Sequence, residues 1–346
     1  MKEKRAAGER TTILVTGAAG IIGPELVLDL RERYGDERVI AGYRSSPLPR
    51  EVSSGGPSVQ VDVSDFGALE QVVTHHDVGA IYHLAAVLSS AAERDVQLGW
   101  QANVEGLYNV LESARRLSVP KIFLASSIAV FGETTPKHPT PQDTILHPTS
   151  FYGVSKRFGE LLGAYYAARF GVDVRGLRYP GIISPRSVQG ERTISRTIET
   201  ESGTRVVTGS TDFVTSMIQA AIRGEAYECC FHPETVLPLM YIDDCVKATV
   251  DLMHAGSLPL HHRCEYNLRG IEFTAAELAQ EIERQTPGFR CEFRPDERQL
   301  LADATARAID DSAAREEWGW SPEFDLPRMT QALLRAHQDR LHPQDP

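Results

Sequence analysis

Cysteine, long apolar runs and excess positive charge are all scarce in this sequence. Its five cysteines are an odd number, and none forms a Cys-x-x-Cys pair or stands at a zinc-like spacing from a histidine. A disulfide framework and a zinc site are therefore not expected. The adjacent pairs His75-His76 and His261-His262 predict no shared metal, because neighbouring side chains point apart on a helix or strand. We expect free thiols in a reducing cytoplasm and no bound metal.

Membranes and nucleic acids are disfavoured as partners on similar grounds. The longest apolar stretch, residues 80–88, is interrupted by His83 and falls far short of the ~20 residues that span a bilayer. The charged segment MKEKRAAGER leads into no apolar segment, so we predict no signal peptide. With 36 Lys and Arg against 47 Asp and Glu, the formal charge is −11, which argues against binding to nucleic acid or anionic lipid. The expected partner is a small-molecule substrate.

What the sequence does contain is an alternation of short β-branched runs and longer amphipathic stretches. The pattern predicts strands at residues 12–16, 38–43, 59–61, 80–84, 121–125 and 173–178, and helices at 21–34, 66–75, 100–117 and 152–170. Apolar strands separated by helices favour a parallel sheet with crossover connections. The expected fold class is α/β, a Rossmann doubly wound parallel sheet.

The pattern changes after Pro180-Gly181 and predicts a smaller, mostly helical C-terminal domain. Its helices are expected at residues 212–223, 243–254 and 274–285. We predict a dinucleotide-binding domain at 1–184 and a substrate-binding domain at 185–346. The polar segment 185–209 is lid-like: within it, residues 193–200 and 204–208 could pair as a hairpin, and a solvated loop is the alternative.

Three glycines, Gly17, Gly20 and Gly23, directly follow the first predicted strand and open the first helix. In this context glycines permit a tight turn, let a pyrophosphate approach the backbone, and allow the helix to pack closely on the strand. The helix N-terminus then favours the phosphate charge. We predict a dinucleotide site at this turn, which includes Ile21 and Ile22.

The end of the second strand bears on the choice of dinucleotide. A carboxylate there bonds the ribose hydroxyls of NAD, whereas a cation accommodates the extra phosphate of NADP. Here the sequence is Tyr43-Arg44-Ser45-Ser46, without a carboxylate. Arg44 could hold a 2′-phosphate or could be a solvated loop residue. After the third strand, Asp62, followed by Val63, is placed to meet the adenine edge.

Tyr152 and Lys156 form the second signal, because residues four apart share one face of a helix. A phenol normally ionises near pH 10 and is a poor base at neutrality. A nearby ammonium favours the phenolate and would lower the pKa of the phenol. The preceding strand ends at Ser126-Ser127, and the Ser127 hydroxyl could orient a substrate oxygen. The set Ser127, Tyr152 and Lys156 predicts proton-transfer chemistry.

Two weaker candidates accompany this set. Asn103, in the helix after Trp100, could order a proton-relay water or could be a helix-surface amide. Ser89 and Ser90 follow the fourth strand, where substrates bind in such folds, or they form a polar turn.

Together these motifs resemble the extended short-chain dehydrogenase/reductase superfamily (the NAD-dependent epimerase/dehydratase family), and within it the short-chain type of L-threonine 3-dehydrogenase. The likeness covers nearly all of the chain between Thr11 and Leu334 and is most specific from the Tyr/Lys helix through residues 178–184. The matching stretches are ILVTGAAGIIGPELV, AIYHLAAVLSS, ANVEGLYNVLE, SSIAVFGETTP, TPQDTILHPTSFYGVSKRFGELLGAYYAARFGVDVRGLRYPGIIS, LPLMYIDDCVKATVDLM, EFTAAELAQEI and DDSAAREEWGW.

The resemblance implies oxidation of the L-threonine hydroxyl to 2-amino-3-ketobutyrate with NAD. By position, Tyr152 would be the general base, Lys156 would hold the nicotinamide ribose and lower the pKa of Tyr152, and Ser127 would bond the reacting oxygen. The substrate contacts implied besides Ser127 and Tyr152 are Ser89, Ser210 and Thr211. The further cofactor contacts implied are Leu84, Ala85, Ala86, Asn103, Tyr179, Gly181 and Ile182.

The sequence departs from the family pattern at three places near cofactor or substrate. Tyr43 replaces the family's acidic residue after the second strand, which makes NADP the alternative cofactor. The link at 185–207 is longer than the family's short Gly-rich one. Ala304-Thr305-Ala306 stands where the family has Ser-Trp-Pro, so an aromatic wall is missing. We expect preserved hydride chemistry and allow for an altered substrate.

Three other readings stay open. The first is an NADPH-dependent reductase of a larger keto compound, the second a nucleotide-sugar epimerase, and the third a non-catalytic cofactor sensor, which the presence of Tyr152 and Lys156 disfavours. By analogy with the superfamily we also expect a homodimer, paired through the Tyr152 helix and the helix at 100–117.

Overall fold

The computed structural model describes residues 11–188, 196–199, 205–208, 212–256 and 260–341. The strands are β1 (Thr12–Thr16), β2 (Val39–Tyr43), β3 (Ser58–Gln60), β4 (Val78–His83), β5 (Lys121–Ser127), β6 (Asp173–Tyr179), β7 (Gly181–Ile183), β8 (Arg196–Glu199), β9 (Arg205–Thr208), β10 (Tyr227–Cys229), β11 (Leu239–Tyr241), β12 (Tyr266–Asn267) and β13 (Cys291–Phe293). The helices are α1 (Gly23–Tyr34), α2 (Arg50–Ser54), α3 (Phe66–His75), α4 (Ser89–Arg94), α5 (Val96–Trp100), α6 (Gly106–Leu117), α7 (Phe151–Phe170), α8 (Asp212–Arg223), α9 (Ile242–His254), α10 (Ala275–Gln285), α11 (Arg298–Ala304), α12 (Ser312–Trp318) and α13 (Leu326–Leu341).

The main sheet has seven parallel strands in the order β12-β6-β5-β4-β1-β2-β3. This confirms the predicted Rossmann-type α/β class. The strand order reverses between β1 and β4, and ligands of such sheets bind in the crevice at the carboxyl ends of the strands beside that reversal. Residues Gly17 and Leu84, which follow β1 and β4, therefore stand at the expected cofactor position.

Helices cover both faces of this sheet, because its strands are apolar on both sides. On one face α1 packs against β2 and α9, and Leu26 and Leu30 are fully buried there. On the other face α3 packs against α6, with Leu69 and Val110 fully buried. The sheet is therefore held between two layers of helices, and the candidate site lies at the carboxyl ends of its strands.

The second half of the chain is mostly helical, as predicted, and it also extends the sheet. Helices α8, α10 and α13 pack together, β11 pairs with β7, and β12 adds an edge strand to β6. Strands β8 and β9 pair antiparallel, which confirms the hairpin over the solvated loop. The hairpin lies between α4 and α11. The described residues include no helix that combines the length and the apolar character a membrane crossing needs.

Candidate active site

The glycine turn after β1 is built as a close-approach loop. Gly17 has a φ of 74°, and a Cβ there would lie 2.6 Å from the backbone nitrogen of Ala85. A Cβ on Gly23 would lie 2.5 Å from the carbonyl oxygen of Gly17. Helix α1 begins at Gly23, two residues later than predicted, because residues through Ile22 belong to the turn. The turn thus leaves backbone room for a diphosphate at the start of a twelve-residue helix.

The ends of β2 and β3 form the far side of this crevice. Arg44 is exposed, and its guanidinium makes no ion pair within the described part of the chain. Its carbonyl accepts a hydrogen bond from the Gln60 amide at 2.7 Å. Asp62 Oδ1 accepts from the backbone nitrogen and the hydroxyl of Ser64, at 2.9 and 2.8 Å, and Val63 is buried. A cation and a carboxylate therefore both stand at the predicted adenosine end.

Asn103 is buried, so it is not the helix-surface amide that was one of the two readings, and its role in ordering a relay water stays a prediction. It sits in a π-helical turn, Gln101–Glu105, between α5 and α6, and such turns are frequent at functional sites. Its amide bonds both backbone groups of Val87, at 2.7 and 3.0 Å, and donates to the Ser155 hydroxyl at 3.2 Å. It clamps the loop after β4, which includes Leu84, Ala85 and Ala86, to the catalytic helix.

The predicted catalytic residues come together where β5 meets α7. Ser127 is the last residue of β5, and its hydroxyl oxygen accepts from the Ala129 nitrogen at 3.1 Å. The Ser127 hydroxyl lies near the Tyr152 phenol and opposes the rise of its pKa. Lys156 Nζ donates to the Ala125 carbonyl at 2.8 Å and lies 5.4 Å from the centre of the Tyr152 ring. One cavity is lined by Lys156 together with Ala85, Ala86 and Asn103.

The ionisation of this set departs from the sequence expectation. Burial raises the pKa of Tyr152 to about 12, and the Ser127 hydroxyl opposes that rise. Burial lowers the pKa of Lys156 to about 8. Lys156 is not among the causes that shift the pKa of Tyr152 in the protein alone, and burial raises that pKa. His83, below the site, has its pKa lowered to about 3 by burial and by Lys156.

The remaining predicted substrate and cofactor contacts differ in how far the structure describes them near the site. Ser89 is the first residue of the short helix α4, so it does not lie in the polar turn that was one of the two readings. The Tyr179 ring is buried in the core and its hydroxyl bonds that of Thr249, so only its backbone can face a cofactor. Gly181 and Ile182 lie in β7, beyond the carboxyl end of β6. Ser210 and Thr211 lie outside the described residues.

Sequence reasoning missed the polar residues that support the site. Glu93 of α4 accepts a hydrogen bond from the Phe151 nitrogen at 2.6 Å, at the start of the catalytic helix. Glu160, one turn after Lys156, is buried and ion-paired with Arg178 at 2.8 Å. The spacing of Lys156 and Glu160 on one helix face was the available signal. No sequence signal marked Arg178, because a buried arginine near the end of an apolar strand cannot be told from a solvent-exposed arginine by sequence alone.

The arrangement can bind a dinucleotide and move one proton. The glycine turn leaves backbone room for a diphosphate, and the Ser127 hydroxyl lies near the Tyr152 phenol, which can exchange a proton with a bound hydroxyl. Among the described residues no group of three or more His, Cys, Asp or Glu side chains could hold a metal ion. All five cysteines are free.

Comparison with known proteins gives a matching family model and a similar curated protein. A family model described as the NAD dependent epimerase/dehydratase family matches residues 13–267. The mitochondrial L-threonine 3-dehydrogenase of Sus scrofa is 39% identical over 326 residues, which are 94% of this chain and 82% of that protein.

Two solved structures extend the comparison. The GalE-like L-threonine dehydrogenase from Cupriavidus necator in its holo form is 39% identical, with a TM-score of 0.81 over 93% of this chain and 99% of its own. A monomeric L-threonine 3-dehydrogenase from a metagenome, in its apo form, is 38% identical, with a TM-score of 0.82 over 95% of this chain and 99% of its own.

Proposed function

The chain belongs to the NAD dependent epimerase/dehydratase family, and from this premise we propose that it is a dehydrogenase of β-hydroxy-α-amino acids. L-Threonine is the first substrate, and its product would be 2-amino-3-ketobutyrate. The observation that carries this proposal is the meeting of Ser127, Tyr152 and Lys156 beside the glycine turn. The L-threonine dehydrogenases reported above support the substrate.

The roles of the chain's own residues follow from their contacts. A bound nicotinamide cofactor supplies the hydride acceptor. The glycine turn would hold its diphosphate, and Lys156 its nicotinamide ribose. Tyr152 would take the proton of the substrate hydroxyl, while Ser127 donates a hydrogen bond to the same oxygen and fixes its position. The Lys156 ammonium, 5.4 Å from the Tyr152 ring centre, would stabilise the phenolate during the transfer.

We propose NAD as the working cofactor, with NADP as the second candidate. A nicotinamide dinucleotide of either kind suits the glycine turn. The exposed Arg44 guanidinium favours the second candidate, because it is free of ion pairs in the described ranges and could meet a 2′-phosphate.

The segment 185–209 supports a second function, namely NADPH-dependent reduction of a larger keto compound. The β8–β9 hairpin lies between α4, which carries Ser89, and α11, which leads into Ala304-Thr305-Ala306. We propose that this hairpin is the substrate lid and that the missing Trp leaves room for a longer side chain. The substrate domain would begin at residue 185, after a dinucleotide domain at 1–184.

We further propose that the chain is a cytoplasmic homodimer. Helix α7 exposes an apolar stripe of Val154, Phe158, Leu161 and Tyr165, each at least 38% exposed. Trp100 and Tyr108 add exposed aromatic rings along the neighbouring helices. A second copy covering this stripe would bury it. One similar protein is a monomer, so dimerisation through this stripe has to be measured on this chain itself.

The substrate is tested by supplying the purified protein with NAD or NADP and one of three substrates. These are L-threonine, a β-hydroxy-α-amino acid with a longer side chain, and UDP-glucose. The proposal predicts reduced cofactor with L-threonine and recovery of the amino ketone by mass spectrometry. Preference for the longer amino acid with NADP would establish the second function instead. Sugar interconversion without net cofactor reduction would identify an epimerase and refute both.

A further inference from the structure

A buried charge network lies directly behind the catalytic residues. Glu160 on α7 has no exposed side-chain surface, and Arg178 on β6 only 2%. Arg178 Nε donates to Glu160 Oε1 at 2.8 Å, and its Nη2 donates to Oε2 at 3.1 Å. Arg157 Nη1 donates to the same Oε2 at 2.8 Å. The carboxylate is thus held by two guanidinium groups, which is the condition under which a buried charge is tolerated.

The same carboxylate also holds the end of β5. Ser126, which is 5% exposed, donates from its hydroxyl to Glu160 Oε1 at 2.6 Å. Lys156 Nζ donates to the Ala125 carbonyl at 2.8 Å. Ala125 and Ser126, adjacent on β5, are therefore hydrogen-bonded to the side chains of Lys156 and Glu160, which lie one turn apart on α7. The next residue of the strand is Ser127, whose hydroxyl meets Tyr152.

The Ser126 bond is not needed to satisfy the rest of the network. Arg178 also donates to Glu265 at 3.1 Å, to the Asn267 side chain at 3.1 Å and to the Gln142 carbonyl at 3.2 Å. The guanidinium therefore keeps its partners whether or not Ser126 contributes. The Ser126 hydroxyl therefore has a local effect: it holds the last residues of β5 in position against α7.

We propose that Ser126 and Glu160 are positioning residues whose hydrogen bond holds Ser127 in contact with Tyr152. Hydride transfer needs the Ser127 and Tyr152 hydroxyls on one substrate oxygen, and a misplacement of about 1 Å can cost about 100-fold in rate. The inference deepens the proposed dehydrogenase function and rests on it.

Loss of the Ser126 hydrogen bond should also change the pH dependence of turnover, which a purely structural role would leave unchanged. The Ser127 hydroxyl opposes the burial that raises the pKa of Tyr152. When Ser127 drifts away, that opposition is lost and the pKa of Tyr152 rises further. The charged or titratable groups around Tyr152 are Lys156 on α7, Glu93 of α4 at the start of that helix, and His83 of β4 facing Lys156. The Ser126 substitution leaves these three in place.

Three variants of the full chain test the proposal. Ser126→Ala removes the hydroxyl, and Ser126→Thr retains one. Ser113→Ala is the matched control, because Ser113 is a fully buried serine whose hydroxyl has no hydrogen-bond partner in the part of the chain described here. Each substitution changes one or two atoms, so folding should persist, and circular dichroism checks it.

We expect Ser126→Ala to lower kcat about tenfold, with the KM of the substrate within about twofold of the parent. The rising limb of its kcat–pH profile should move to higher pH. Ser126→Thr and Ser113→Ala should keep the parent kcat and profile. A Ser126→Ala enzyme with unchanged kcat and unchanged profile would overturn the proposal.

Hydrogen–deuterium exchange provides a readout that does not depend on activity. Ser126→Ala should speed exchange in the peptide covering residues 124–131 and leave the α6 peptide unchanged. If the parent protein turns over no hydroxy amino acid, the proposed function fails. The exchange measurement still decides whether the Ser126–Glu160 hydrogen bond holds the end of β5 in place. Unchanged exchange in 124–131 would refute the Ser126–Glu160 tie itself.

Discussion

At the scale of single residues, the site is governed by how burial changes two ionisations. The buried Tyr152 phenol has its pKa raised to about 12, and the Lys156 ammonium has its pKa lowered to about 8. Tyr152 is therefore protonated at neutral pH in the protein alone. It is ready to donate a proton in the reductive direction, whereas oxidation needs the phenolate.

These ionisations predict opposite pH dependences for the two directions. Oxidation should quicken as pH rises between about 6 and 8, because more Tyr152 can accept the substrate proton while Lys156, whose pKa is about 8, still carries its charge. Reduction of the corresponding amino ketone should show no such rise, because it uses the protonated phenol. Initial rates in both directions over this range provide the test. A rate of oxidation that falls with pH would contradict Tyr152 as the base.

Arg44 is a residue-scale test of cofactor choice. If its guanidinium holds a 2′-phosphate, Arg44→Ala removes a charge-assisted hydrogen bond worth about 1.5–3 kcal/mol, or roughly 10–100-fold in affinity for NADP. Affinity for NAD should change little. Arg50→Ala, which removes another exposed cation at the start of α2, is the control. Equal losses for NAD and NADP in titrations of the Arg44 variant would make Arg44 a surface residue.

The sequence was sufficient to predict that Ser127, Tyr152 and Lys156 lie together, but not how burial changes their ionisation. Tyr152 and Lys156 are separated by one helical turn, so their proximity follows from spacing. The pKa of each depends on the protein packed around it, including residues far away in the chain. The same limit applies to Arg178, whose partner Glu160 is 18 positions away.

At the scale of elements, the β8–β9 hairpin is the feature that we propose as the substrate lid. Replacing residues 189–208 by a short Gly-Ser link keeps Arg186, which is ion-paired with Glu25 and Glu51. If the hairpin is a lid, the ratio of kcat/KM for L-threonine and for a longer β-hydroxy amino acid should shift about tenfold. Cofactor affinity should stay constant. An unchanged ratio of the two kcat/KM values would show that the hairpin does not affect substrate choice.

Element prediction succeeded at several long periodic patterns but missed most of the short elements and also the sixteen-residue helix α13. Helices α3 and α8 have the predicted bounds, and the six predicted strands of the first half are all present. Helix α4 was missed, since six residues are too few to show a helical period. Strand β12 was missed for the same reason, because two residues become a strand only through pairing with β6.

At the scale of the whole molecule, the exposed stripe on α7 predicts a dimer. Leu161, 56% exposed, lies within it, and burying such a side chain contributes about 1.5–3 kcal/mol. Leu161→Glu should therefore weaken dimerisation at least tenfold, as measured by analytical ultracentrifugation. Leu300→Glu is the control, because Leu300 is 66% exposed on α11, away from the stripe. A parent protein that sediments as a monomer would refute the dimer.

The central claim is that Ser127, Tyr152 and Lys156 oxidise L-threonine with a nicotinamide cofactor. The most direct test follows reduced-cofactor absorbance for the parent chain and Tyr152→Phe, with L-threonine and either NAD or NADP. The account predicts turnover by the parent and a loss of about 100- to 10,000-fold in Tyr152→Phe, with cofactor binding retained. Turnover by Tyr152→Phe at the parent rate would contradict the account.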